Sequence, residues 1–163
     1  YCILTLFLNC GMRLSELVNI NLSNIKGDTL TVIGKGNKER TVYLNDACIK
    51  ALRDYLVVRP TEDIKDKDAL FISKRKQRIS NKSVQHIVKK YLEKAGLDTK
   101  KYSVHKLRHT AATLMYQHGD VDIRALQQIL GHSNISTTQI YTHVDDKTLR
   151  EAVRRNPLAK EVV

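Results

Sequence analysis

Apolar residues recur at helical spacing along most of this chain, and one stretch breaks the rule. Leu30-Thr31-Val32-Ile33 and Arg40-Thr41-Val42-Tyr43-Leu44 are β-rich runs with the turn residues Gly34-Lys35-Gly36-Asn37 between them. That pattern predicts a β-hairpin. Asn24-Ile25-Lys26-Gly27-Asp28 predicts a third short strand turning into it. The chain opens inside a periodic apolar segment, residues 1–9, which reads as the middle of a helix ended by Gly11. Leu14, Leu17 and Val18 continue a short helical face. Cys48, Leu52, Tyr55 and Leu56 share a face of a helix over 46–58 that stops before Pro60. Residues 61–68 form a charged connector, and 73–77 a basic loop. Val84, Ile87, Val88, Tyr91, Leu92 and Ala95 predict another helix, with Gly96 as its stop. Ser103 is placed to cap a helix carrying Val104, Leu107, Ala111, Leu114 and Met115, closed by Gly119. A further helix runs over 122–130 to Gly131, and a C-terminal one lies within 148–156, before Pro157. The expected fold is mainly α with a small three-stranded antiparallel β-sheet.

With 163 residues, 42% of them hydrophobic, the chain can form one packed domain. No run approaches the roughly 18 apolar residues of a membrane span, and the apolar opening Tyr1 to Leu8 lacks the basic start of a signal peptide. Collagen-like, disordered, transmembrane and disulfide-framework classes are excluded. Cys2, Cys10 and Cys48 are odd in number with no CxxC pair, which reads as reduced thiols in the core of a cytoplasmic protein. Lys plus Arg is 28 against 17 Asp plus Glu, a net charge of +11. Such an excess attracts a polyanion. No basic helix with a strongly apolar opposite face is evident, which favours nucleic acid over a membrane surface.

Four clusters could carry chemistry: Gly11-Met12-Arg13-Leu14-Ser15-Glu16-Leu17, Gly34-Lys35-Gly36-Asn37-Lys38-Glu39-Arg40, His105-Lys106-Leu107-Arg108-His109, and Leu130-Gly131-His132-Ser133-Asn134 running on to Gln139-Ile140-Tyr141-Thr142-His143. Each has an ordinary structural reading. Arg13 after a helix-ending glycine can cap or ion-pair, hairpin lysines can be merely solvated, and Tyr141 can be a half-buried aromatic. His105 and His109 at i and i+4 raise zinc, but Lys106 stands where the zincin pattern has glutamate. No metal or other cofactor is expected.

Taken together, Arg13, Lys35, His105, Arg108, His132 and Tyr141 are the side chains needed to attack a phosphodiester without a metal. Two guanidinium forks can hold the nonbridging oxygens of one phosphate and neutralise charge that grows there. Lysine and histidine can move protons at the bridging oxygens. A phenol can attack covalently, though its ordinary pKa of about 10 requires a base and cationic surroundings.

At these residues the sequence resembles the tyrosine recombinases of the phage integrase family, with a Xer-like or mobile-element character. The matching strings are Gly-Met-Arg-Leu-Ser-Glu-Leu, Gly-Lys-Gly-Asn-Lys-Glu-Arg, His-Lys-Leu-Arg-His-Thr, and Leu-Gly-His-Ser with Thr-Thr-Gln-Ile-Tyr-Thr-His. All four in order are highly specific, and His132 and Tyr141 stand nine positions apart, as the family pattern requires. The resemblance implies that 1–163 is a catalytic domain whose N-terminal core-binding partner domain is absent, with the C-terminal helix as a possible inter-subunit contact. It makes Arg13 and Arg108 the phosphate-clamping arginines and Lys35 the general acid at the leaving 5′ oxygen, with Lys38 the competing choice. His105 becomes the acid/base for the tyrosine proton and His132 a phosphate hydrogen-bond donor. Tyr141 becomes the nucleophile that forms a 3′-phosphotyrosyl link. Glu16 would steady the histidine side of the site, with His109 structural or beside it. Lys38, Arg40, Lys74, Arg75 and Lys76 are candidate DNA contacts. The implied partners are double-stranded DNA and further copies, as a tetramer on two sites, and neither ATP nor metal is implied. A type IB topoisomerase, a non-catalytic DNA-binding module and a metal-independent RNase are the rival readings.

Overall fold

Nine residues, Cys2–Cys10, form helix α1, and none of its sides faces water freely. Leu6 and Phe7 are wholly buried and even Thr5 and Asn9 are inaccessible. An all-round apolar helix must lie inside. Its two buried polar side chains are satisfied within the turn: Thr5 Oγ1 donates to Tyr1 O at 3.0 Å, and Asn9 Nδ2 to Thr5 O at 3.0 Å. The computed structural model describes residues 1–118, 123–130 and 146–160. Gly11 ends α1 in the left-handed region (φ 64°), its N–H donating back to Phe7 O, a conformation that glycine adopts without penalty. Helix α2 (Leu14–Val18) follows.

The expected sheet is present. Strands β1 (Ile25–Lys26), β2 (Thr29–Ile33) and β3 (Glu39–Tyr43) pair antiparallel in the order β1-β2-β3. The register sets Val32 opposite Arg40 and Leu30 opposite Val42. A tight turn at Lys35–Asn37 joins β2 to β3, with Gly36 at φ 74° and Asn37 at φ 60°.

Helix α3 (Asp46–Val58) is capped by Asn45, whose side chain accepts from Cys48 N. The same Asn45 donates to Asn9 Oδ1 at 2.9 Å and to Val153 O at 3.2 Å, so one cap residue ties three segments together. Cys48 and Leu52 are buried as expected, whereas Leu56 is exposed near the helix end beside Val57 and Val58. The connector that follows is held from both sides. Arg59 donates to the carbonyls of Lys67, Ala69 and Leu70, and Arg78 to those of Val18 and Ile20. Helix α4 (Asn81–Lys94), capped by Ser80, ends before Gly96.

Helix α5 (Val104–His118) begins directly after Ser103, whose carbonyl accepts from Leu107 N. It joins two cores. Val104 and Leu107 belong to the larger one, built from α1, α2, the sheet, α3 and α4. Ala111 and Met115 pack in a smaller one with Tyr43, Ala125, Leu126, Leu149, Ala152 and Val153. Tyr43 ends β3, Ala125 and Leu126 come from α6 (Ile123–Leu130), and Leu149, Ala152 and Val153 from α7 (Asp146–Arg154). The C-terminal helix therefore starts two residues before the expected 148, and it lies against β3 and α6 of its own chain. A final turn, Pro157–Lys160, rests on α1 and α3.

All three cysteines are buried free thiols. The Sγ atoms of Cys10 and Cys48 stand 3.5 Å apart. Burial, and secondarily the neighbouring Cys48, push the Cys2 thiol up to about 12, so it is unreactive in the folded chain.

Candidate active site

The site is built where the end of α1, the start of α5 and the β2–β3 turn converge. Gly11 exposes a carbonyl at the helix end, and Arg108 Nε donates to it at 2.6 Å from one turn inside α5. Two residues after Gly11, Arg13 adopts an extended conformation (φ −77°, ψ 153°) at the start of α2, and its N–H donates to Glu16 Oε1 at 2.8 Å. An acidic side chain at the third helical position satisfies an otherwise orphaned N–H.

Glu16 is 1% exposed. Arg40 grips it with two parallel bonds, Nε to Oε2 and Nη2 to Oε1, both 2.8 Å. Arg13 Nη1 lies 3.8 Å from Oε2. Burial alone would raise the Glu16 pKa, but the hydrogen bonds and charge of Arg40, joined by Arg13, hold it below the ordinary carboxylate value. Arg40, grouped by its sequence with the DNA contacts, has its guanidinium hydrogen-bonded to Glu16, and the contacts of Glu16 run to Arg13 and Arg40. The alternation along β3 carried the signal: Arg40 shares the inward parity of Val42, while Glu39 and Thr41 face out.

Arg108 is buried, and its pKa falls to about 10. Desolvation is the main cause, with the like charges of Arg13 and Arg40 next, opposed by Glu16. Three guanidinium groups thus gather around one carboxylate.

Arg13, His105 and Arg108 line one cleft of about 490 Å³, with Met12, Val88, Leu92 and Val104 among its apolar walls and Gln85, Lys89 and Tyr102 along its polar side. These last three residues were not anticipated: Gln85 and Lys89 come from α4 and Tyr102 from the loop before α5, and no local sequence pattern sets them beside Arg13 and Arg108. His105 is exposed at the first turn of α5. His109, one turn on, is exposed and does not line the cleft. Lys35 and Lys38 are exposed on the hairpin turn. The base of that turn is close to the arginine cluster: a methyl at Gly34 would stand 3.4 Å from Glu16 Oε2. His132 and Tyr141 lie outside the described residues.

A second cleft, of about 760 Å³, opens on the other side of α4 between the loop at 72–79 and the first turns of that helix. Lys74 and Arg75 line it, together with Lys82 and His86, and Lys74, Arg75 and Lys76 are all exposed. Arg78, also in its wall, is tied to Asp66 at 2.9 Å and to Asn21. Among the described residues no group of three or more His, Cys, Asp or Glu is arranged to hold a metal ion, and no helix is long and apolar enough to cross a membrane.

A mostly helical domain with one three-stranded antiparallel sheet is the architecture of a tyrosine recombinase catalytic domain. The chain belongs to the phage integrase family, which it matches over residues 1–148. It is 72% identical over 161 residues to the tyrosine recombinase XerC of Caldanaerobacter subterraneus subsp. tengcongensis, covering 99% of this chain and 46% of that protein. Among solved structures, the XerA recombinase aligns with a TM-score of 0.75 at 38% identity, over 93% of this chain and 54% of that one. The XerH site-specific recombinase bound to difH substrate, in a pre-cleavage complex, aligns with a TM-score of 0.71 at 30% identity, over 93% of this chain and 44% of that one. The chain thus spans about half the length of these relatives.

Proposed function

We propose that this chain is the catalytic part of a site-specific DNA recombinase that breaks and rejoins DNA through a 3′-phosphotyrosyl intermediate. The observation that carries the reading is the common cleft of Arg13, Arg108 and His105, with the arginines braced by Glu16, Arg40 and the Gly11 carbonyl. Arg13 and Arg108 clamp the scissile phosphate and neutralise charge on its nonbridging oxygens as the pentacoordinate state forms. Tyr141 attacks phosphorus, its proton passing to His105, while Lys35 protonates the departing 5′ oxygen. His132 donates a hydrogen bond to the phosphate. Attack on the phosphotyrosine by the 5′ hydroxyl of another end restores the tyrosine and exchanges strands. The phosphodiester energy is kept in the protein–DNA bond, so neither ATP nor a divalent metal takes part. The 72% identity to a tyrosine recombinase XerC supports a Xer-type recombinase over a transposon or phage integrase. A tetramer on two double-stranded sites, in the cytoplasm, is the working assembly.

The test is covalent capture on a nicked suicide duplex, with mass mapping of the adducted peptide. Tyr141→Phe should abolish the adduct and leave DNA affinity nearly unchanged; undiminished adduct in that variant would overturn the reading. Arg108→Ala should slow cleavage about 100- to 1,000-fold, the usual cost of removing one donor to a developing oxyanion, with a much smaller loss of affinity. EDTA should leave the rate unaltered.

A further inference from the structure

We infer that Arg40 is a positioning residue for the β2–β3 turn: its grip on the buried Glu16 sets where Lys35 stands relative to Arg13. This rests on the reading of Lys35 as the general acid. Arg40 lies in β3, opposite Val32 in the register and five positions after Lys35. Both of its bonds to Glu16 are 2.8 Å long, and the two side chains are only 13% and 0% exposed. A guanidinium fork on a carboxylate fixes direction as well as distance. Glu16 Oε1 receives Arg13 N as well as Arg40 Nη2, each at 2.8 Å. One oxygen atom therefore joins the residue that starts α2 to the strand that leaves the turn.

Burial does not hold the tip of the turn. Residues 35–39 are all exposed, and Ile33 before them is half exposed. The base of the turn is closed by Gly34 N, which donates to Lys38 O at 2.7 Å. That base meets the same carboxylate, since a methyl on Gly34 would stand 3.4 Å from Glu16 Oε2. The route from Arg40 to Lys35 is thus short: two paired strand ends, the closing bond, and Gly34 next to the lysine. A general acid must come within hydrogen-bond reach of the atom it protonates. A misplacement of about 1 Å can cost about 100-fold in rate. Lysine at position 40 would keep a charge beside Glu16 but replace the fork by a single point of contact.

The experiment measures single-turnover adduct formation by saturating full-length protein, below the Tm of every variant, on suicide duplexes with oxygen or sulfur at the scissile 5′ position. An alkoxide needs a proton as it leaves, whereas a thiol, with an ordinary pKa of about 8.5, departs as the thiolate without an acid. Lys35→Ala should lose about 100-fold or more on oxygen and regain most of it on sulfur. Arg40→Lys should follow the same pattern in smaller measure, about 10-fold slow on oxygen and within about twofold of the parent on sulfur, with unchanged DNA half-saturation. Arg40→Gln repeats the comparison with the charge removed and should show the same rescue. Arg108→Ala, which acts on the nonbridging oxygens, should stay slow on both duplexes. Equal losses on oxygen and sulfur in the Arg40 variants, or parental rates on oxygen, would overturn the positioning role. Lys35→Ala separates the two claims. If sulfur rescues it but not Arg40→Lys, the positioning role alone fails; if sulfur does not rescue it, the reading of Lys35 as the acid fails and the inference with it.

Discussion

Glu16 is the side chain around which the guanidinium groups of Arg13, Arg40 and Arg108 gather. It is buried and ionised at once, because burial, which opposes the charge, is outweighed by Arg40 and then Arg13. Removing one partner from a buried, hydrogen-bonded ion pair leaves the others to bear desolvation uncompensated. Glu16→Gln should therefore destabilise by about 3 kcal/mol, which at roughly 2–4 °C per kcal/mol lowers Tm by about 6–12 °C. The pH dependence has a definite sign. A carboxylate whose folded pKa lies below its ordinary 4.5 stabilises fully above that value and loses the contribution as pH falls through the folded pKa. Thermal melts at pH 7 and pH 3.5 should show the parent losing more stability on acidification than Glu16→Gln. Equal losses would mean that Arg40 and Arg13 do not hold the charge.

At the scale of elements, α5 links the halves of the molecule, and Gly11 is where it docks. Gly11→Ala forces a left-handed backbone on a residue with a Cβ, at a cost of about 1–2 kcal/mol, and moves the carbonyl that receives Arg108. Adduct formation, measured at a temperature where both proteins are folded, should fall further than the shift in Tm accounts for. Gly11→Asn, better tolerated in that conformation, should fall less. The helix end at Gly11 was legible from sequence, as were the hairpin turn at Gly34-Lys35-Gly36-Asn37 and the start of α5 after Ser103, because each is dictated by local backbone chemistry. Arg13, His105 and Arg108, from separate sequence motifs, share a cleft. What sequence did not reveal is pairing across distance. Arg108 meets Gly11 from 97 positions away and Arg40 meets Glu16 from 24, and no periodicity encodes either. Helical spacing also over-assigned the core: Leu56 and Tyr91 fall on the periodic faces yet are exposed, since those faces extend past their partners. The α7 boundary shifted for the ordinary reason that helix ends carry weaker signals than helix middles.

For the whole molecule, a net charge of +11 fixes attraction to a polyanion but not where the polyanion lies. The structure divides the cations by employment. Arg40 holds Glu16, Arg59 holds the 67–70 carbonyls, Arg78 holds Asp66 and the end of α2, and Arg150 holds Asp28. Lys74, Arg75 and Lys76 instead stand exposed on a loop pinned beneath them: Ser73 N donates to Gln77 O at 2.8 Å and Ile79 N to Phe71 O at 3.0 Å. A rigid loop presents its charges at little entropic cost to a backbone that approaches the second cleft. Each phosphate neutralised contributes about −0.9 to the slope of log affinity against log salt. Replacing all three by alanine should therefore flatten that slope by roughly 2–3 and weaken binding alike on cognate and unrelated duplexes, since phosphate contacts carry no sequence information. Arg59→Ala should do the reverse, lowering Tm through the loss of its carbonyl contacts while leaving the slope intact. Fluorescence anisotropy of labelled duplexes across a potassium chloride series measures both. A slope unchanged in the triple variant would make the loop a merely solvated charge run and move the DNA path toward the arginine cleft alone.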